Sequence, residues 1–166
     1  MKNFRVGVGY DIHQLKNNNE LILGGVLIPH YKGTVAHSDG DVVIHAICDA
    51  LLGASGLGDI GHFFPDNDNR FKDIDSKILL KDVFKMIQKK GFFVVNIDVS
   101  IVLEVPKLKE YLLDMKTQIS KCINISVSDV NIKATTSEKL GFIGREEGVA
   151  CYATTLIASK LSFKSL

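Results

Sequence analysis

Asp11 and His13 stand two residues apart at the end of the strand-like run Phe4–Tyr10. Side chains alternate faces in an extended chain, so both would point the same way and reach a single metal ion. Zinc accepts a carboxylate oxygen and an imidazole nitrogen at ~2.0–2.2 Å. An Asp-x-His pair fits a strand-end turn with a surface histidine equally well. His45 shifts the balance. It lies in Val42-Val43-Ile44-His45-Ala46-Ile47, a helical stretch apolar on most faces, with Asp41 and Asp49 four residues to either side on the same face. A histidine buried there needs a partner. A metal would serve, with a neighbouring carboxylate orienting the second ring nitrogen. A plain hydrogen bond to one of the aspartates would serve too.

Three further clusters carry polar chemistry. His37-Ser38-Asp39-Gly40-Asp41 puts a hydroxyl and backbone amides at a helix N-terminus, which suits a phosphate. Its carboxylates would repel that phosphate unless a metal or His37 compensates, and local capping also explains Ser38 and Asp39. Asp59-Ile60-Gly61 and Phe64-Pro65-Asp66-Asn67-Asp68 lie in a loop punctuated by Gly53, Gly56, Gly58 and Gly61. The glycine spacing matches neither a P-loop nor a dinucleotide fingerprint. Such a loop is either a solvated connection or a lid whose carboxylates accept from a ribose. Ala134-Thr135-Thr136-Ser137-Glu138-Lys139 gathers three hydroxyls, a carboxylate and an ammonium. The hydroxyls can donate to phosphate oxygens and Glu138 can hold a hard cation such as magnesium. A strand-to-helix cap is the alternative.

These residues need elements to position them. The pattern predicts strands over Phe4–Tyr10, Phe92–Leu103, Val130–Thr136 and Gly148–Ser159, the last also compatible with a helix. Leu21–Leu23 and Val26–Ile28 flank Gly24-Gly25, a hairpin signal. One helix should run from about Asp41 to Ala54, capped by Ser38 or Asp39. A second, capped by Asp75, should cover about Ser76–Lys90 with the stripe Leu79, Leu80, Val83, Phe84, Met86 and Ile87. A third should start at Pro106 and reach about Cys122. The expected fold is α/β or α+β, one mixed four-stranded sheet covered on one face by helices, plus a small hairpin. The 166 residues suit a single domain, 1–166.

Composition narrows the partners. The net charge of +1 leaves no footprint for nucleic acid or an anionic membrane, so an anionic substrate would have to be held by local donors or a metal. No run reaches the ~18 apolar residues of a membrane span. The three cysteines, Cys48, Cys122 and Cys151, are far apart and odd in number, which fits a reducing compartment better than a disulfide framework. The expectation is a soluble cytoplasmic protein, or a plastid one had an import segment been removed.

Taken in order, the segments resemble one family. They are Gly-Tyr-Asp-Ile-His at 9–13, Leu-Gly-Gly-Val at 23–26, Ala-His-Ser-Asp-Gly-Asp at 36–41, Leu-Gly-Asp-Ile-Gly at 57–61, Phe-Pro-Asp at 64–66, Pro-Lys at 106–107, Ala-Thr-Thr-Ser-Glu-Lys-Leu-Gly-Phe at 134–142 and Gly-Arg at 144–145. Each is modest alone; together and in this order they resemble the 2-C-methyl-D-erythritol 2,4-cyclodiphosphate synthases.

The resemblance implies a homotrimer with active sites between subunits. It implies zinc on Asp11, His13 and His45, and a second divalent ion, magnesium or manganese, on Glu138. It implies a cytidine diphosphate-linked substrate, 4-diphosphocytidyl-2-C-methyl-D-erythritol 2-phosphate, converted to the 2,4-cyclodiphosphate and CMP. His37 and Thr136 match positions that stabilise the transferring phosphoryl group. Other substrate contacts implied are Asp11, His13 and Ser38, with Asp59, Ile60 and Gly61 at the ribose. Phe64, Pro65, Asp66, Asn67 and Asp68 of the loop are implied too. Leu103, Pro106, Lys107, Leu108, Lys109 and Ala134 match the cytosine pocket. Thr135, Ser137 and Glu138 match the phosphate side, and Phe142 and Arg145 lie near the trimer centre. The chain departs from the family's pattern at Leu103-Glu104-Val105, where small residues around a glutamine are commoner. The fused cytidylyltransferase domain of some relatives has no counterpart here, so a monofunctional enzyme is expected. Two other functions fit the same residues: a zinc-dependent nucleotide phosphohydrolase, and a non-catalytic trimer that binds a nucleotide or an isoprenoid diphosphate.

Overall fold

A computed structural model describes residues 3–159. The chain begins with β1 (Phe4–Asn17), followed by the hairpin β2 (Leu21–Leu23) and β3 (Val26–Ile28) and the short β4 (Lys32–Val35). Next come α1 (Val42–Ser55), the single-turn α2 (Ile60–Phe63) and α3 (Ser76–Lys89). The remainder is β5 (Phe92–Val102), α4 (Leu112–Ile123), β6 (Val130–Thr135), the short α5 (Gly141–Gly144) and β7 (Gly148–Ser159). No helix among the described residues is long and apolar enough to cross a membrane.

The main sheet has five strands, not the four expected, in the order β4-β1-β7-β5-β6. β5 and β6 pair in parallel and the other neighbours antiparallel. The additional strand is β4, which pairs Lys32–Val35 with Gln14–Asn17 of β1. Lys32-Gly33-Thr34-Val35 is short and half polar, and its partner stretch Gln14–Asn17 is polar except for Leu15, so neither side carries a strand signal. Pairing with β7 as far as Gln14 carries β1 past Tyr10, and Asp11 and His13 lie inside the strand, not at its end.

Burial along β1 alternates with period two. Gly7, Gly9 and Leu15 are buried, whereas Phe4, Val6, Val8, Tyr10 and Ile12 are exposed. The inner face meets α1 at backbone distance: a Cβ on Gly7 would lie 1.9 Å from the Ala50 carbonyl oxygen, and one on Gly9 1.9 Å from that of Ala46. The helix answers with small residues, Ala46, Ala50 and Ala54, one turn apart and all buried. α1 is buried on nearly every side because α3 covers the face that β1 and β7 do not. The hairpin is fastened by Leu21, Leu23 and Ile28, all fully buried, at about 1.5–3 kcal/mol each.

Two helix starts differ from expectation. The cap of α1 is Asp41, whose carboxylate accepts from the amides of Val43 and Ile44, rather than Ser38 or Asp39. Pro106 does not open a helix; α4 begins at Leu112. Buried Leu103 and Leu108 pin the intervening segment as a loop, and the inward spacing Met115, Ile119, Ile123 is carried only by residues after Tyr111. Asp75 caps α3 as the sequence indicates, accepting from Lys77 N–H.

Candidate metal centre and nucleotide cleft

β1 supplies Asp11 and His13 from its inner face, and α1 supplies His45 one turn before Asp49. Asp11 Oδ2 lies 3.0 Å from His45 Nδ1 and 3.2 Å from His13 Nε2, and the two imidazole nitrogens are 3.1 Å apart. Among the described residues this is the set of three ligand-type side chains whose atoms converge. A tetrahedral zinc with bonds of ~2.0–2.1 Å separates its ligand atoms by ~3.3–3.4 Å, so the triangle is within a few tenths of an ångström of the required size. Two nitrogens and one oxygen are also a donor set that zinc accepts. The residues therefore fit the metal.

The two histidines are tuned in opposite directions. Burial pushes His13 below its ordinary value, and nearby Asp11 offsets that only partly. Burial also pushes His45 down, but its hydrogen bond to Asp11 and the charges of Asp11, Asp41 and Asp39 outweigh it and raise the group.

This centre forms the floor of a cleft of about 530 Å³. Its walls include His37, Ser38, Ile60, Gly61, Phe64, Pro65, Asp66 and Asn67, together with Phe71, Ile74 and Leu79. His37 is held by a 3.0 Å contact from Nε2 to the Asp68 carbonyl oxygen. A carbonyl only accepts, so Nε2 carries a proton. A second cleft of about 310 Å³ is lined by Leu103, Pro106, Lys107, Leu108, Lys109, Leu112, Ala134, Thr135 and Thr136. The two clefts share no lining residue.

The sequence profile of the YgbB family matches residues 4–158. The chain belongs to the YgbB family. It is 52% identical over 155 residues to the 2-C-methyl-D-erythritol 2,4-cyclodiphosphate synthase of Syntrophobacter fumaroxidans, covering 93% of this chain and 98% of that one. It is 54% identical over 153 residues to the synthase of Bacteroides fragilis, with 92% and 96% covered. Among solved structures it resembles the CDP complex of Plasmodium falciparum IspF, with a TM-score of 0.84 at 37% identity and 95% and 97% coverage. It also resembles the bifunctional IspDF of Campylobacter jejuni, with a TM-score of 0.93 at 42% identity; 96% of this chain is covered, but it spans 43% of that longer one.

Several residues singled out from the sequence stand outside both clefts. Asp59 caps α2 and accepts from His62 N–H at 3.0 Å. Asp68 pairs with Arg70 at 2.6 Å, and Arg145 with Glu147 at 2.9 Å. Ser137 and exposed Glu138 follow directly on Thr136 at the rim of the second cleft, and Thr136 Oγ1 donates to Glu138 Oε1 at 3.2 Å. Phe142 is exposed at 40% and lies against Gly148.

The aspartates flanking His45 do not orient it. Asp41 is fully buried and turned away, accepting from Gly24 and Gly25 of the hairpin as well as from Val43 and Ile44. Burial raises its carboxyl to about 6 against those donors. Asp49 accepts from Ile60 N–H at 2.8 Å and holds the start of α2. His45 Nε2 faces Ser76 Oγ instead, at 2.9 Å.

Sequence reasoning also passed over Glu104. Its Oε1 accepts from Ser137 N–H at 2.8 Å, Ser137 Oγ at 2.9 Å and Lys139 N–H at 3.2 Å. Those contacts tie the end of β5 to a turn in which Glu138 and Lys139 adopt φ of 53° and 63°, a left-handed conformation that costs non-glycine residues energy. The departure from the family's pattern at 104 was the available signal, but nothing local shows what that carboxylate grips.

Proposed function

We propose that this chain is a 2-C-methyl-D-erythritol 2,4-cyclodiphosphate synthase, converting 4-diphosphocytidyl-2-C-methyl-D-erythritol 2-phosphate to the cyclodiphosphate and CMP. The observation that carries the reading is the Asp11–His13–His45 triangle, found in a chain more than half identical, over nearly its full length, to enzymes of that name.

In the reaction an oxygen of the 2-phosphate attacks the β-phosphorus, the bond from that phosphorus to the bridging oxygen breaks, and CMP leaves with the electron pair. Two anions must meet, so the protein's work is neutralisation and folding of the substrate, with no protein nucleophile. Asp11, His13 and His45 would hold zinc, which when bound neutralises and polarises phosphate oxygens. Glu138 is an exposed lone carboxylate beside a hydroxyl, which suits a magnesium or manganese ion completed by substrate phosphates. His37 and Thr136 place polar groups where the transferring phosphoryl group passes. Lys107 and Thr135 serve the nucleotide in the second cleft, and the backbone of 103–109 with Ala134 reads the base.

The separation of the two clefts supports a site completed by a second copy of the chain. So does the exposed apolar stripe Phe4, Val6, Val8, Tyr10 and Ile12, with the Tyr152 ring tilted against Tyr10 at 4.7 Å. A homotrimer buries that stripe and sets the metal centre of one chain against the nucleotide cleft of the next.

The test is incubation of the purified chain with substrate and zinc, followed by phosphorus-31 NMR. A cyclic diphosphate with stoichiometric CMP is expected. Release of CMP with an open-chain product identifies a hydrolase, and absence of turnover with tight CDP binding identifies a binding protein; either result overturns the proposal. For the shared site, His45→Ala and Lys107→Ala chains are dissociated and reassembled together. Recovery toward roughly a quarter of wild-type activity is expected from random assortment in a closed ring. Exchange without recovery would place both halves on one chain.

A further inference from the structure

A chain of polar groups, buried at Ser76, runs away from the metal centre through α3. His45 Nε2 is 2.9 Å from Ser76 Oγ, and Ser76 Oγ is 2.5 Å from Asp39 Oδ1. Asp39 is held in place by two backbone donors, Ser76 N–H on Oδ2 at 2.9 Å and Asp41 N–H on Oδ1 at 3.1 Å. Ser76 is fully buried.

The direction of each proton follows from what each group can do. An ionised carboxylate only accepts, so the hydroxyl hydrogen of Ser76 goes to Asp39. A serine has one such hydrogen, which leaves its oxygen an acceptor toward the imidazole. Nε2 of His45 must then be the donor. The other nitrogen, Nδ1, faces Asp11 Oδ2 and His13 Nε2 at 3.0 and 3.1 Å; a proton there is held by Asp11 and is the one a cation in the triangle would displace, whereas the Nε2 proton stays directed at Ser76. The second hydroxyl near the ring, Ser38 Oγ, is farther off at 3.2 Å and already accepts from Gly40 N–H.

We propose that Ser76 is a positioning residue for the metal centre: by donating to Asp39 it accepts from His45 Nε2, and so holds His45 in the tautomer that turns the Nδ1 lone pair into the triangle. The inference rests on the metal reading given above and adds to it the group that selects the ligating atom. It also explains why β1 and α1 do not suffice to build the centre: the tautomer is set from a third element, α3, that contributes no ligand.

Zinc affinity is measured by competition with a chromophoric chelator on wild type, Ser76→Ala, Asp39→Ala and the double variant, with imidazole nitrogen-15 NMR of each metal-free protein. Ser76→Ala should weaken zinc by about 10–100-fold, as loss of a ligand's outer partner does. Its His45 should change from a ring that holds its Nε2 proton to a mixture with the Nδ1–H form that Asp11 favours. Asp39→Ala, which removes the acceptor of the Ser76 hydroxyl, should weaken zinc in the same way, and the double variant should be no worse than Ser76→Ala, because both act through one hydroxyl. Melting of the metal-free variants reports whether the fold persists, and the Asp39→Ala chain carries the test if Ser76→Ala does not fold. A Ser76→Ala chain that binds zinc like wild type and holds its Nε2 proton as wild type does overturns this inference alone. A wild type that takes up no zinc overturns the metal reading.

Discussion

Gly9→Ala should damage the metal centre without touching a ligand. The added Cβ would fall 1.9 Å from the Ala46 carbonyl oxygen, and real Cβ atoms essentially never come within 3.0 Å of such an atom. Helix α1 must therefore retreat from β1 by roughly 1 Å, at the ~1–3 kcal/mol typical of overpacking or somewhat more. His45 rides on that helix, one residue before Ala46. A 1 Å retreat opens the edges from His45 to Asp11 and His13 to ~4 Å, beyond the ~3.3–3.4 Å that a tetrahedral zinc spans. The variant should thus lose stability without metal and also lose the extra stability that zinc confers, ~4 kcal/mol at a thousandfold excess over the dissociation constant. Denaturant titrations with and without zinc measure both quantities. Gly53→Ala is the control in the same helix: the position is exposed with nothing within 4 Å of the new methyl, so it should gain ~0.5–1 kcal/mol and keep the full zinc increment. A Gly9→Ala protein that retains the zinc increment would refute the claim that close strand–helix approach sets the triangle.

Asp41 gives a pH test. Its carboxyl is raised from 3.8 to about 6 in the folded protein, so the native state binds a proton more tightly than the unfolded chain, and that stability is present below about pH 4 and lost as pH rises through about 6. Asp41→Asn does not titrate; the stability difference between wild type and this variant should move toward the variant by up to ~3 kcal/mol from pH 4 to 7, and a difference flat in pH refutes it. Glu104→Ala should weaken CDP binding about tenfold or more by freeing the Ser137–Lys139 turn, whereas Glu104→Gln keeps an accepting oxygen and should bind CDP as well as wild type or better, as calorimetry will show. Equal weakening by both would assign the effect to charge instead. CDP should also bind more tightly than UDP, since a site set for cytosine leaves groups unpaired with uracil; equal affinities refute base readout.

What the sequence made legible is what periodicity and local chemistry encode. Gly24-Gly25 placed the hairpin, Asp75 announced α3, and the clash of a histidine with an apolar helix pointed to a partner for His45. Asp11 and His13 shared a face because strands alternate. The unreadable parts depend on groups distant in sequence. β4 exists because Lys32–Val35 finds an open edge on β1, and its own residues carry little strand preference. Asp41 resembled an orienting partner for His45 by helical spacing, but its pull toward four amides from two elements turned it away. Ser76 and Glu104 are ordinary residues in their own neighbourhoods; their partners lie 31 to 37 positions off.

The two-sided character of β1 restricts how its length can change. Insertion of one residue between Gly9 and Asp11 would transfer both ligands to the side that bears Tyr10 and Ile12 or, if the ligands kept their places, drive Val6 and Val8 into the gap that Gly7 and Gly9 keep for α1. Insertion of two would restore the alternation but carry the ligands ~6.6–6.8 Å along the strand, out of reach of His45. Grafting this triangle onto another scaffold, or redesigning the apolar side without disturbing Asp11 and His13, is therefore open to substitution at the even-numbered positions from Val6 to Ile12, but not to any insertion or deletion between Gly7 and His13.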